Sequence, residues 1–299
     1  MKTGLTKNDS LSIKGIAIIM LVFHHLFCEV KRFDGYTIDF SPFSQSSIVS
    51  ISFMFKICVS IFAFITGYGL LKSIKKQTLN AKSCFKWNVN RLIKTMSGFW
   101  LIYVLAFIVT MIINRLPVKT YFDDGIFDGL VYIAVDFLGL ANFFSTPTLC
   151  STWWYMSAAI MFILSVPMIY AASKKFGYLP VIAVVFALPR LLNIGYLSGV
   201  NLYTFLTPVV FGMMFADYDL FERISDKSPE NKVGAYALHF LVFGILTAVG
   251  AVVAIKIDRI LFWEVSYGIV PIAFICFFRY CIVRIPVINQ VLTFLGKHQ

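Results

Sequence analysis

The stretch Ile13-Lys14-Gly15-Ile16-Ala17-Ile18-Ile19-Met20-Leu21-Val22-Phe23-His24-His25-Leu26-Phe27 decides the fold. It is an apolar run of membrane-helix character that carries a lysine at its start and two histidines at its end. Ionisable groups in such a segment are costly, so they call for a function. Lys14 and His25 are eleven residues apart, and at about 100° per residue that is three turns plus roughly 20°. Both therefore fall on one helix face, about 16 Å apart, while His24 points elsewhere.

The rest of the chain agrees with a membrane reading. Its 299 residues are 59% hydrophobic and 14% charged, and the mean hydropathy is +0.81, far from soluble-domain composition. Apolar runs recur along almost the whole length without a soluble domain's worth of polar sequence between them. This predicts an all-α, polytopic transmembrane bundle forming a single membrane domain over residues 1–299. The 26 Lys and Arg against 15 Asp and Glu would suggest nucleic acid in a soluble protein, but here membrane topology explains them and nucleic acid is not expected. Six cysteines (Cys28, Cys58, Cys84, Cys150, Cys276, Cys281) contain no Cys-x-x-Cys pair and read as free thiols. Lys2, Lys7 and Lys14 precede the first run as in a signal peptide. No small-x-small cleavage site follows, so the segment is expected to stay attached.

Nine apolar windows approach the length a bilayer requires: Ser12–Cys28, Ile48–Leu71, Leu92–Ile113, Ile126–Phe144, Trp153–Ala172, Tyr178–Leu192, Leu202–Ala216, Gly234–Ile255 and Ile260–Phe278. The fourth contains Asp128 and Asp136 and runs into Ser145-Thr146-Pro147-Thr148, so eight to nine segments cross, depending on whether it spans or re-enters. With the N-terminus cytoplasmic, a crossing fourth segment leaves 13 basic residues inside and 12 outside, whereas a re-entrant one leaves 18 inside and 7 outside. The positive-inside rule favours the re-entrant form.

Four motifs follow one another along the chain. Lys14 is followed, after ten residues, by His25. Arg91-Leu92-Ile93-Lys94 opens the third window. Phe62-Ala63-Phe64-Ile65-Thr66-Gly67-Tyr68 lies in the second, and Trp153-Trp154-Tyr155 leads the fifth, which runs on through Pro167. In this order they resemble the bacterial membrane acyltransferase 3 family, which includes O-acetyltransferases of cell-surface polysaccharides, over nearly the whole chain. The family has arginine where Lys14 and Lys94 stand. Its topology is drawn with ten spans and a crossing fourth segment, against the charge count. Phe294-Leu295-Gly296-Lys297-His298 resembles the family's lead-in to its last transmembrane helix, so with Gln299 last the resemblance implies a chain short of one helix.

His25 is the candidate general base, because neutral imidazole can take a proton from a hydroxyl near pH 7, and the resemblance implies the same role. Glu29, four residues on, would share its helical face and could hold the imidazole's tautomer. His24 reads as structural. The resemblance implies acyl-CoA, most simply acetyl-CoA, as donor and a glycan or lipid-linked glycan as acceptor. Lys14, Arg91 and Lys94 are the candidate acyl-CoA phosphate ligands. For Arg91 and Lys94, a position at a helix start would add backbone amides. The lysines from Lys72 to Lys86 fit plain topology better. Lys56, inside the second window, would pair with Asp128 or Asp136. Trp153-Trp154-Tyr155 fits an interfacial aromatic belt, or a sugar-stacking platform. His239 and His298 belong to no metal-spaced cluster, and neither a metal nor a resident cofactor is expected. Phosphate-binding loops and a Gly-x-Ser-x-Gly elbow are absent, which leaves direct transfer as the simpler chemistry. A transporter or flippase whose path is lined by Lys14, His25, Lys56 and Asp136 is the alternative, though no internal repeat supports it. An inactive scaffold is a third reading.

Overall fold

The computed structural model describes residues 4–78, 80–192, 202–257 and 267–297. Within them the chain is helical and contains no strand. Among the described residues, five helices are long and apolar enough to cross a membrane: Lys7–Phe27, Gln45–Ile74, Ala81–Asn114, Ser151–Phe176 and Lys232–Ile255. Three shorter apolar helices cover Tyr178–Pro189, Leu202–Asp217 and Val270–Ile282. The beginning of the ninth window, from Ile260, and His298 with Gln299 lie outside the described residues. The chain forms two compact units, one of Met1–Lys72 with Phe176–Gln299 and one of Ser73–Lys175.

In the first unit, helix α1 (Lys7–Phe27) begins with a capping box. Thr6 accepts from the Asp9 backbone N–H at 3.1 Å, and the Asp9 carboxylate accepts from the Thr6 N–H at 2.9 Å, so two of the helix's orphan donors are satisfied reciprocally. The same carboxylate lies 3.3 Å from Arg279 Nε, with both side chains 12% exposed. Helices α2 (Gln45–Met54) and α3 (Cys58–Ile74) follow, joined by one 3₁₀ turn, Phe55–Ile57.

After the second unit the chain returns to the first with α9 (Tyr178–Leu191), α10 (Leu206–Asp217), α11 (Leu220–Asp226), α12 (Lys232–Ile257), α13 (Val270–Phe277) and α14 (Pro286–Lys297). Among the described residues, two helix pairs touch backbone to backbone. A Cβ on Gly15 of α1 would lie 2.7 Å from the Leu292 carbonyl carbon of α14, and one on Gly296 would lie 2.8 Å from that of Leu11. Likewise Gly67 of α3 faces Val209, and Gly212 of α10 faces Phe64, each such Cβ 2.9 Å from the opposing carbonyl carbon. Small residues permit this approach in a setting where helix association rests on packing and hydrogen bonds more than on water exclusion. Ser12 adds polar contacts to the α1–α14 seam, meeting Thr293 Oγ1 at 2.7 Å and donating to the Asn289 side-chain oxygen.

The second unit contains α4 (Ala81–Asn114), α5 (Leu116–Tyr121), α6 (Ile126–Phe137), α7 (Ala141–Phe144) and α8 (Trp154–Phe176). Met96, Phe99 and Tyr103 of α4 pack with Ile160 of α8 and with Trp153 just before it. Since Trp153 meets Phe99 and Tyr103, ring centroids 5.3 Å away in each case, and the Gly139 backbone nestles between Met96 and Ile160, α8 runs antiparallel to α4. The basic end of α4 and Lys174-Lys175 at the end of α8 therefore share one side of this unit.

The fourth window does not form a spanning helix. At 12 residues, α6 rises only about 18 Å, short of the roughly 30 Å of hydrocarbon. Its last residue, Phe137, stacks on Trp100 of α4 at 5.7 Å, and the chain turns at Gly139, where φ is +70°. The chain then turns back through α7 and residues 145–150 to the head of α8. A helix this short followed by a turn is the form on which the re-entrant expectation, drawn from the charge count, rests. Cysteines placed at Lys174 and at Lys82 in a cysteine-free background are expected to react with an impermeant thiol reagent from the same side of the membrane. Labelling from opposite sides would refute the re-entrant path.

Candidate functional site

Helix α1 is continuous from Lys7 to Phe27, so the face shared by Lys14 and His25 is preserved. Lys14 is half-buried and His25 is exposed. Neither side chain has a hydrogen-bond or ion-pair partner among the described residues. The His25 carbonyl accepts from the Arg32 guanidinium.

The helix stops at Phe27, with Cys28 as its C-cap. Glu29 therefore lies beyond it, and the four-residue helical register that would align it with His25 does not reach that far. Its carboxylate instead pairs with Arg32 at 3.2 Å, both side chains well exposed. The sequence expectation that Glu29 orients His25 has no counterpart in these contacts, because the chain leaves the helix one residue too early.

The imidazole that does have an orienting partner is His24. Its Nδ1 lies 2.7 Å from the carbonyl oxygen of Ser52. Ser52 is fully buried and sits in the last turn of α2, where carbonyls are released from the α-helical ladder. A carbonyl can only accept, so Nδ1 carries a proton, and in the neutral ring Nε2 is then the nitrogen with the lone pair. The two histidine rings lie side by side, centroids 5.3 Å apart. Sequence reasoning had no means of singling out His24, since its partner is 28 residues away on another helix.

In the second unit, the placement of Arg91 and Lys94 at a helix start is corrected. Helix α4 begins ten residues before Arg91, capped by Asn80, whose side-chain oxygen accepts from the Ser83 N–H at 2.8 Å. The basic segment from Lys82 onward is itself helical, so the backbone amides beside Arg91 are already spent within the helix. Any phosphate there would meet side chains alone. Arg91 donates to Ser73 Oγ, which also accepts from Trp87 Nε1 at 3.0 Å, and the guanidinium lies 5.8 Å from the Trp87 ring centroid. Lys94 is exposed.

Asp136, expected as a partner for Lys56, is 1% exposed and spends its carboxylate otherwise. It accepts from Tyr121 Oη at 2.5 Å, Thr148 Oγ1 at 2.9 Å and the Leu149 N–H at 2.8 Å. Tyr121 in turn meets Tyr103 Oη at 3.0 Å. These bonds tie the returning loop to α5 and α6, and they satisfy a buried carboxylate without a cation. Asp128 is exposed. In the first unit His239 is 4% exposed, bonded to Ser228 Oγ at 2.8 Å and packed on Tyr280 at 4.4 Å, as a core histidine would be.

Comparison with known proteins adds one match. The acyltransferase 3 family model, described as an acyltransferase domain, matches residues 11–298. No curated protein matches the chain, and no solved structure does.

Proposed function

Because this chain belongs to the acyltransferase 3 family and is a membrane acyltransferase, we propose that it moves an acyl group, acetyl in the first instance, from cytosolic acyl-CoA to a hydroxyl of a cell-surface polysaccharide or its precursor. The observation that carries this reading is the family match over residues 11–298, inside which Lys14 and His25 stand on one face of α1. The N-terminus is assigned to the cytoplasm on the charge count.

In the proposed reaction, neutral His25 takes the proton of the acceptor hydroxyl as its oxygen attacks the thioester carbonyl. The tetrahedral intermediate collapses with cleavage of the carbon–sulfur bond. The imidazolium returns its proton to the departing CoA sulfur, leaving an ester on the glycan and a free thiol. Lys14, Arg91 and Lys94 are assigned to the donor's phosphates on their motif positions. Arg91 is the strongest of the three, since Ser73 and Trp87 hold a guanidinium that can grip phosphate with two parallel bonds. Arg91→Ala is expected to raise the apparent KM for acyl-CoA by about tenfold or more, in line with a lost charge-assisted hydrogen bond, while kcat is largely retained. A fall in kcat with KM unchanged would remove Arg91 from donor binding.

A second reading places the base at His24, favoured by the Ser52 carbonyl that fixes its tautomer. Either assignment is tested within one assay. Membranes containing the protein are incubated with radiolabelled acetyl-CoA and total surface glycan, and label is counted in the glycan fraction. Label above that of membranes lacking the protein is expected. None from a well-expressed protein would overturn the proposed donor and acceptor.

A further inference from the structure

Helix α1 contains a single acid, Asp9, which stands five residues before Lys14. Five residues rise about 7.5 Å and turn through about 140°, which puts the two Cβ atoms roughly 10 Å apart. Helical side chains lean toward the N-terminus, so a lysine at position 14 leans toward the turn that holds Asp9. Lys14 nevertheless has no ion-pair partner among the described residues. The Asp9 carboxylate is taken by Arg279, whose Nε lies 3.3 Å away, with both side chains 12% exposed. We infer that Arg279 is a positioning residue for donor binding. By neutralising Asp9 it leaves the Lys14 charge to the acyl-CoA phosphates and spares them a facing carboxylate. The inference rests on the assignment of Lys14 to the donor made above.

The fold holds Arg279 in place for this. It belongs to a π-helical turn, Phe278–Ile282, that continues α13, a rare element that recurs at functional sites. The next residue, Tyr280, is fully buried and donates to the Phe221 carbonyl at 2.5 Å, so the turn is anchored in the core. The guanidinium lies 5.6 Å from the Tyr280 ring centroid. Its Nη2 donates to the Gly4 carbonyl at 3.2 Å. Arg279 thus holds both the segment that enters α1 and the carboxylate of its capping box.

Charge decides how the pair bears on the donor. A carboxylate stripped of its cation, about 10 Å from a bound phosphate, shifts an equilibrium constant by about tenfold or more at an effective dielectric constant of about 20. It would also compete for the Lys14 ammonium. Removing the acid instead leaves an extra cation near the phosphates. The two partners therefore act on donor affinity with opposite signs. On stability they act alike, since loss of either one strands a largely buried charge.

The test uses the full chain in phosphatidylcholine nanodiscs with radiolabelled acetyl-CoA as the probe. Binding is read at equilibrium, and kcat and KM come from glycan labelling. Arg279→Gln is expected to weaken acetyl-CoA binding by about tenfold and to raise KM to match, with kcat retained because His25 lies near the far end of α1. Asp9→Asn keeps the cap, as its amide oxygen can still accept from the Thr6 N–H. It is expected to bind acetyl-CoA at least as tightly as the wild type despite a lower melting temperature. Combining Asp9→Asn with Arg279→Gln should restore binding, as should the charge-keeping Arg279→Lys. Equal weakening by the two neutralising variants, or a double variant no better than Arg279→Gln alone, would overturn the proposal and reduce the pair to a structural contact. Should Arg279→Gln fail to fold, Asp9→Asn decides by itself, because weaker binding there refutes the expected sign. A wild type that binds no acetyl-CoA overturns the donor reading and this inference with it. Binding that responds to Lys14→Gln but not to Arg279→Gln overturns this inference alone.

Discussion

Replacing His25 by alanine is expected to lower acyl transfer to glycan by about 10²- to 10⁴-fold, the usual contribution of a positioned general base. Protein level and thermal stability should hardly change, because the side chain is exposed and makes no hydrogen bond. The companion variant decides the assignment. His24→Ala removes a bond to a buried carbonyl, a loss of about 1 kcal/mol, and should cost less than tenfold in rate with a measurable fall in stability. If instead His24→Ala abolishes transfer and His25→Ala labels glycan as well as the wild type, the base is His24. The motif spacing would then mark a neighbour of the catalytic group.

The second large effect concerns packing. Gly15→Ala adds one carbon where the Leu292 backbone of α14 already stands, 2.7 Å from the carbonyl carbon. A backbone held in a helix cannot step aside as a flexible side-chain tip can, so α1 and α14 must separate. Overpacking of this kind costs about 1–3 kcal/mol and occasionally more, and separation also weakens the bonds from Ser12 to Thr293 and Asn289. A marked drop in melting temperature in detergent is expected, with activity falling alongside it although no catalytic group is altered. Gly98→Ala in α4 is the control. Nothing lies within 4 Å of a Cβ there, so removing a mid-helix glycine should be neutral or stabilising by about 0.5–1 kcal/mol. Equal melting temperatures for the two variants would disprove the close approach.

Where the sequence reading succeeded, the property was local. The long apolar helices appear where hydropathy places them, and the face shared by Lys14 and His25 follows from helical periodicity within one continuous segment. Where the reading failed, a boundary or a distant partner was at stake. Glu29 misses the register because α1 ends at Phe27. Arg91 is far inside α4 because the basic residues before it are also helical. Asp136 needs no cation because Tyr121, Thr148 and the Leu149 amide already satisfy it.

The sequence by itself determined that this is a membrane protein built of helices and that its first helix carries a cation and an imidazole in line. These follow from sums over neighbouring residues, and a sum of transfer free energies or a rotation per residue needs no knowledge of the other helices. Only the tertiary structure decided that Gly15 and Gly296 let two backbones touch, that Ser52 orients His24, and that Arg279 pairs with Asp9. Each of these depends on which helix faces meet, and a hydrogen bond or a steric contact between distant segments leaves no period in the chain.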